Sequence, residues 1–313
     1  MQRNPLGSTG LAVTPLCAGA SVLGGGGQEV FGYRVDAEQA VATLLEVFDS
    51  ELNFLDTSNE YGDGESERRI GAAIRAHGGL PPGFVLATKV DPDPVTGDFS
   101  GDRVRTSVAE SLERLGVTRV PLLYFHDPER IDFDQAMAPG GAVEALIALR
   151  AEGVVGHLGV AGGPVDLLRR YLGTGAFEVV ITHNRFTLVD RSAGPLLDDA
   201  AARGVAVVNA APYGGGMLVK GPDAQPRYAY RLASDATRDR VRAMAEACEA
   251  HGVPLAAAAL QWSMRDERIA STIVGFSAPG RVSRTLELAR WPIPDELWPA
   301  LARSAAPEED WLH

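Results

Sequence analysis

Cysteine, lysine and aromatic residues are scarce in this chain, and its apolar stretches are short. Two cysteines in 313 residues, Cys17 and Cys248, exclude a disulfide framework and a four-cysteine zinc site. Both read as buried small residues. No stretch approaches the ~20 apolar residues of a membrane span, and the opening MQRNPLGSTGLAVTPL lacks the unbroken apolar core of a secretory signal. A cytoplasmic location away from membranes is therefore expected. Positive charge is in deficit: 29 Lys plus Arg against 41 Asp plus Glu give a net charge of −12, which disfavours nucleic acid and anionic lipid as partners. Aromatics make up only 7% of the chain, which favours a small polar ligand over an apolar one, with Trp291, Trp298 and Trp311 near the end as an alternative aromatic wall. Of the 29 basic residues, only Lys89 and Lys220 are lysines. In a chain so biased toward arginine, a lysine marks either an accident or a place that needs a compact ammonium.

What is present is an alternation. Eight short apolar runs occur at Leu16–Ser21, Asn53–Ser58, Phe84–Val90, Val120–Asp127, Val154–Ala161, Phe177–Asn184, Val205–Pro212 and Ser271–Ser277. Helical spacing lies between them: Ala40, Thr43, Leu44 and Val47 share a face in Asp36–Glu51, and Val104, Val108, Leu112 and Leu115 do so in Asp102–Gly116. Gly116, Gly153, Gly204 and Gly252 stand where helices should end. Strands without a polar alternate face, separated by helices, indicate a parallel sheet. Eight such units predict a single (β/α)8 barrel over residues 1–313. The rival, an open doubly wound sheet, calls for a Gly-rich turn running directly into a helix. Ala18-Gly19-Ala20-Ser21 leads into a loop instead. Asn4–Pro15 reads as a hairpin before the barrel and Pro292–Ser304 as a helix outside it. Gly24–Gly27 reads as a flexible loop, and the long connection Gly214–Ala236 as a functional or mobile one.

Barrel chemistry sits at the C-terminal ends of the strands. There the second run ends in Asp56 with Tyr61 just beyond, the third in Lys89, and the fourth in His126-Asp127. Each ionisable group is embedded among apolar residues, a placement that is costly unless the groups pair. An Asp56–Lys89 pair answers that cost. A tyrosine beside this lysinium is a proton donor or acceptor whose pKa is drawn toward working pH, and a neutral His126 can hydrogen-bond a substrate oxygen. No Gly-x-Ser-x-Gly elbow and no strand-end cysteine with a basic partner supplies a nucleophile. An acid without a nucleophile fits carbonyl reduction by a hydride cofactor. A metal pair at His126-Asp127 is the competing reading, weakened by the missing His-x-His on the first strand. His157 reads as a core histidine, and His183 as either a packed strand end or a cofactor contact.

These stretches carry a resemblance. Leu6-Gly7-Ser8-Thr9-Gly10, Asn53-Phe54-Leu55-Asp56-Thr57-Ser58-Asn59-Glu60-Tyr61-Gly62, Ala87-Thr88-Lys89-Val90, Ser111-Leu112-Glu113-Arg114-Leu115-Gly116 and Leu123-Tyr124-Phe125-His126 resemble the aldo-keto reductase superfamily across nearly the whole chain. The resemblance implies a catalytic tetrad of Asp56, Tyr61, Lys89 and His126, with NADP or NAD as cofactor and a small carbonyl or sugar as substrate. The segment His251–Gln261 is most similar to dehydrogenases of aldoses and of pyridoxal. For the cofactor, the resemblance implies Gly19 and Ala20 after the first strand, His183 and Asn184 after the sixth, and Tyr213 near the seventh. It also implies Gly275, Phe276 and Ser277 after the eighth, with Arg281 and Thr285 on the following helix. Ser277 and Arg281 together fit the 2′-phosphate of NADP, whereas the aldose-dehydrogenase likeness leans toward NAD. One departure stands out: the usual Ser-Asn after strand five is Ala161-Gly162 here. Aldose oxidation is the expected reaction. Aldehyde or ketone reduction with NADPH is its alternative, and a nucleotide-binding regulatory barrel with negligible turnover is a third reading.

Overall fold

The computed structural model describes residues 1–25 and 33–312. Gly26 and Gly27 of the expected glycine loop lie outside the described residues. Eight parallel strands close on themselves. They are β3 (Leu16–Gly19), β4 (Phe54–Asp56), β5 (Val85–Val90), β6 (Val120–His126), β7 (Val155–Gly162), β8 (Val179–His183), β9 (Ala206–Ala210) and β12 (Ile269–Gly275). The ring closes where Ile273 of β12 lies beside Cys17 of β3 on one side and Ala210 of β9 on the other. The lost period-2 pattern has its cause here. All six residues of β5 are buried, Thr88 and Lys89 included, because the helical layer covers one face and the barrel interior the other.

The helices follow their signals. Ala37–Asp49 starts where the Asp36 carboxylate accepts from Gln39 N at 2.8 Å. Gly101–Leu115 starts at Ser100 and stops at Gly116, whose φ of 69° ends the last turn in the left-handed region. Most strands are a residue or more shorter than their apolar runs, and two other bounds differ for a local reason. The outer helix is only Leu297–Arg303, since Pro292 and Pro294 hold the preceding chain extended. Strand β12 begins at Ile269, two residues before its apolar run, because Ser271 and Thr272 are accommodated by hydrogen bonds to Thr14 O (2.8 Å) and Ser263 Oγ (2.7 Å).

The hairpin β1 (Asn4–Pro5) and β2 (Ala12–Val13) delivers Leu6 and Val13 into the apolar cluster of Cys17, Phe54, Leu122, Tyr124 and Val208 that fills the barrel. This covers the end of the barrel opposite the strand C-termini and leaves the other mouth for chemistry. The connection from Gly214 is not structureless. It folds into the short helix Met217–Lys220 and the hairpin β10 (Arg227–Tyr228) and β11 (Arg231–Leu232). Tyr228 is buried beneath it, sharing a hydrogen bond with Thr187 Oγ1 at 2.7 Å and donating to Asn184 O at 3.3 Å. The strap is thereby fixed to the segment that follows β8. Among the described residues, no helix is long and apolar enough to cross a membrane.

Candidate active site

Strands β4, β5 and β6 are neighbours in the ring, so their parallel ends bring Asp56, Lys89 and His126 to one mouth. Lys89 Nζ uses all three of its donors: to Asp56 Oδ2 at 2.6 Å, to Thr57 O at 2.6 Å and to Tyr61 Oη at 3.2 Å. Lysine and aspartate are both buried. Burial alone would lower the ammonium's pKa, yet Asp56 and Tyr61 outweigh it and hold Lys89 above its ordinary value. The lysine stays charged. Asp56 feels burial most, which raises its carboxyl against the pull of Lys89.

Tyr61 is carried by a loop that only glycine can turn. Gly62 has φ 62°, and a Cβ there would stand 2.2 Å from Gly24 O. Asn59 anchors the loop from below: its Nδ2 reaches Ser107 O at 3.1 Å, and Arg103 and Arg114 bind its Oδ1 and O at 3.2 and 3.1 Å. Lys89 Nζ also lies 4.7 Å from the centre of the Tyr61 ring, and the His126 ring meets that ring edge-on at 5.8 Å. Sequence reasoning expected Lys89 to draw the phenol toward working pH. Burial acts in the other direction and is the stronger influence, raising the Tyr61 phenol above its usual range.

His126 also departs from expectation. Its Nδ1 is 2.6 Å from Oδ1 of Asp91, a fully buried residue that the sequence reading passed over. Burial would lower the ring's pKa, but the Asp91 carboxylate reverses that and raises it, which favours the charged ring over the neutral one. Asp91 also accepts from Ser58 Oγ and, at 3.0 Å, from Glu60 N. Glu60, Asp91 and His126 have ligand-type atoms within 4.8 Å of one another. Arg130 occupies Glu60, however, and the Asp91 oxygens already hold three donors, so a hydrogen-bonded network accounts for the cluster. His157 is half-buried on β7, its Nδ1 3.0 Å from Glu178.

The expected cofactor residues ring the same mouth. Gly19 and Gly275 are paired at the ends of β3 and β12, and Ala20 N donates to Asp56 O at 2.9 Å. The Phe276 ring is buried in the core, which leaves its backbone as the part a ligand could meet. Ser277 and Thr285 are largely buried, while Arg281 is exposed on the helix Arg281–Ala289. The start of that helix holds an anion of the protein's own. Glu46 accepts from Gly280 N at 2.6 Å and from Ser283 Oγ at 2.9 Å. Tyr213 follows β9, half-buried. His183 ends β8 with its pKa lowered to about 4, chiefly by burial, and stays neutral. Beside it, Asn184 is buried with φ 59°, and its Oδ1 has no hydrogen-bond partner among the described residues. After β7, a Cβ on Gly162 would crowd Pro128 Cδ at 3.0 Å, and one on Gly163 would strike the Arg185 guanidinium at 2.7 Å. Arg185 therefore crosses the space that a side chain at 163 would fill.

A closed parallel barrel whose mouth joins a buried lysinium, a tyrosine hydroxyl and a carboxylate-held histidine, with no nucleophile among them, is the arrangement of an acid–base oxidoreductase. The chain belongs to the aldo/keto reductase family, whose model matches residues 15–305. It is 33% identical over 323 residues to a D-threo-aldose 1-dehydrogenase of Pseudomonas sp, covering 95% of each chain. It is likewise 33% identical over 285 residues to an L-galactose dehydrogenase of Arabidopsis thaliana, covering 90% of this chain and 86% of that one. A pyridoxal 4-dehydrogenase of Microbacterium luteolum is 29% identical, covering 96% of each. In structure the chain is similar to an aldo-keto reductase from Bacillus halodurans in its holo form, with TM-score 0.82, 22% identity, and coverage of 98% of this chain and 97% of that one. The protein is thus an NAD(P)-dependent oxidoreductase of the type that acts on small carbonyl or sugar substrates.

Proposed function

We propose that the enzyme oxidises the anomeric carbon of a small aldose, with Tyr61 as proton acceptor. The observation that carries this reading is the Tyr61 hydroxyl held 3.2 Å from the fully bonded Lys89 ammonium. When bound, the nicotinamide cofactor supplies or takes up the hydride. The chain's own task is the proton. A cyclic aldose presents its anomeric hydroxyl; Tyr61 accepts that proton, Lys89 stabilises the phenolate, and Asp56 keeps the lysine charged and oriented. The product is a lactone. The mouth suits a polar substrate, for Asp127, Glu129, Arg130 and Arg185 surround His126 and His183 with charge.

The residues fit a nicotinamide cofactor at one telling atom. Among the described residues, Asn184 Oδ1 is a buried acceptor without a donor at the turn after β8, and a carboxamide N–H would satisfy it. Asn184 and His183 take that part in place of the missing Ser-Asn, with Gly19, Ala20, Tyr213 and the segment Gly275–Ser277 completing the cleft. Thr285 and Arg281, on the helix after β12, would hold the adenosine phosphates. The Glu46 carboxylate on the same helix start opposes a 2′-phosphate, which favours NAD, although Arg281 leaves NADP usable.

Reduction is the second reading, and one observation favours it: the Asp91 carboxylate 2.6 Å from His126 Nδ1 raises the ring's pKa, and a charged ring could donate to a carbonyl oxygen. The deciding assay follows nicotinamide absorbance with both cofactors. L-fucose, D-arabinose, L-galactose and pyridoxal are compared with simple aromatic aldehydes. Sugar oxidation at alkaline pH supports the proposal; efficient aldehyde reduction with no sugar oxidation overturns it.

A further inference from the structure

We propose that Asp91 is a positioning residue that keeps a proton on Nδ1 of His126, so that Nε2 can donate to a substrate oxygen only while the ring is charged. The inference rests on the reading of His126 as the group that binds the reacting oxygen.

The argument is one of donors and acceptors. Asp91 Oδ1 lies 2.6 Å from His126 Nδ1, and its Oδ2 takes the Ser58 hydroxyl proton and the Glu60 N–H. The residue is fully buried, so no water competes for these contacts. Ser58 Oγ also lies 3.1 Å from Nδ1, but its single proton is committed to Asp91, so it faces the ring with a lone pair. A neutral ring protonated only on Nε2 would point a lone pair at the carboxylate from one side and at the hydroxyl oxygen from the other. Nδ1 must therefore carry a proton in every state of the ring. That leaves Nε2 bare in the neutral ring and an N–H in the charged one. A carbonyl oxygen needs the N–H, whereas an alcohol can donate to the bare nitrogen.

The charged and titratable groups around the ring come from several elements, with Tyr61 edge-on at 5.8 Å and Glu60 near it on the turn after β4. Asp91 and Lys89 reach it from β5 and its end, Asp56 from β4 and His183 from β8. On its own turn, Asp127 has Oδ1 3.7 Å from Nε2 with Glu129 beyond, and Arg130 interacts with both Asp91 and Asp127. Burial and Lys89 oppose the charged ring; Asp91 and then Asp127 favour it and prevail.

The substitution Asp91→Asn separates this role from a merely structural one. The Ser58 and Glu60 donors retain an oxygen at the Oδ2 position, which turns the new NH2 group toward Nδ1. Nδ1 then becomes an acceptor, and the proton of the neutral ring moves to Nε2. Nitrogen-15 NMR of the His126 ring in the whole protein, without ligands, reads this directly. The expected result is protonated Nδ1 throughout the titration in the native enzyme and a neutral, Nε2-protonated ring at neutral pH in the variant. Steady-state reduction gives the second readout. Native kcat/KM for a carbonyl should fall as pH rises through the His126 titration, and the variant should lack that fall. An Nε2-only tautomer in the native protein overturns the proposal, as do superimposable pH profiles. If the variant does not fold, the native spectrum alone still decides. If neither cofactor supports turnover, the oxidoreductase reading fails while the spectrum continues to test Asp91.

Discussion

Lys89 Nζ and Tyr61 Oη stand 3.2 Å apart at the mouth of the barrel, and the lysine's other two donors are spent on Asp56 and Thr57 at 2.6 Å each. The ammonium is thus held at one point by three oxygens. The tyrosine receives a charge that cannot turn away from it.

Arginine should not replace this lysine. A guanidinium is planar and larger than the point the three oxygens define. Lys89→Arg should lose turnover almost as fully as Lys89→Met, and normal kcat in the Arg variant would reduce the lysine to a structural cation. Lys89→Met has a second signature, in stability. It leaves Asp56 buried without its partner, a loss typically of ~3–5 kcal/mol if the carboxylate stays charged. Burial already raises this carboxyl, and without Lys89 its folded pKa lies further above the unfolded one. A raised folded pKa contributes stability below the unfolded value that is lost as pH rises through the folded value. Denaturant melts of Lys89→Met should therefore show lower stability at mildly alkaline than at mildly acidic pH, relative to wild type.

Sugar oxidation requires the phenolate of Tyr61, and burial holds the phenol above its usual range against the pull of Lys89. The phenolate fraction then grows with pH across the whole stable range. The rate with sugar and oxidised cofactor should climb from neutral to alkaline pH without levelling off. A plateau beginning near neutrality would mean that Lys89, and not burial, governs this tyrosine.

Cofactor choice should respond to Glu46. Its carboxylate caps the start of the helix Arg281–Ala289 through Gly280 N and Ser283 Oγ, at 2.6 and 2.9 Å. A charge-assisted hydrogen bond contributes ~1.5–3 kcal/mol, or about tenfold and more in affinity. Glu46→Gln should tighten NADP relative to NAD by removing a like charge, and Arg281→Ala should weaken NADP more than NAD by about that factor. Both are read by fluorescence titration of the free enzyme. Unchanged ratios in both variants would remove these residues from the 2′-phosphate.

The barrel was legible because eight short apolar runs alternate with helical spacing, and Asp56, Lys89 and His126 are ionisable residues at or next to the ends of three of them. Asp91 was not legible. In Lys89-Val90-Asp91-Pro92 it reads as the first residue of a loop, and its contact with His126 spans two strands. A signal did exist: Lys89 and Asp91 are two apart and so share a face, the face that carries the chemistry. Glu46 gave no signal, since one acidic residue on an amphipathic helix looks solvated and its partner Gly280 is 234 positions away. The Gly214–Ala236 strap reads as a functional or mobile loop because its order comes from a few scattered residues, buried Met217 and Leu218 and the hydrogen-bonded Tyr228.

Tyr61→Phe tests the account most directly. The substitution keeps the ring 4.7 Å from Lys89 Nζ and edge-on to His126, and deletes only the hydroxyl. Positioned acid–base catalysis contributes ~10²–10⁴-fold. Turnover of the substrate found in the panel should fall by that factor while the cofactor Kd from fluorescence titration is unchanged. Retention of more than about a tenth of the wild-type rate would contradict Tyr61 as the proton carrier.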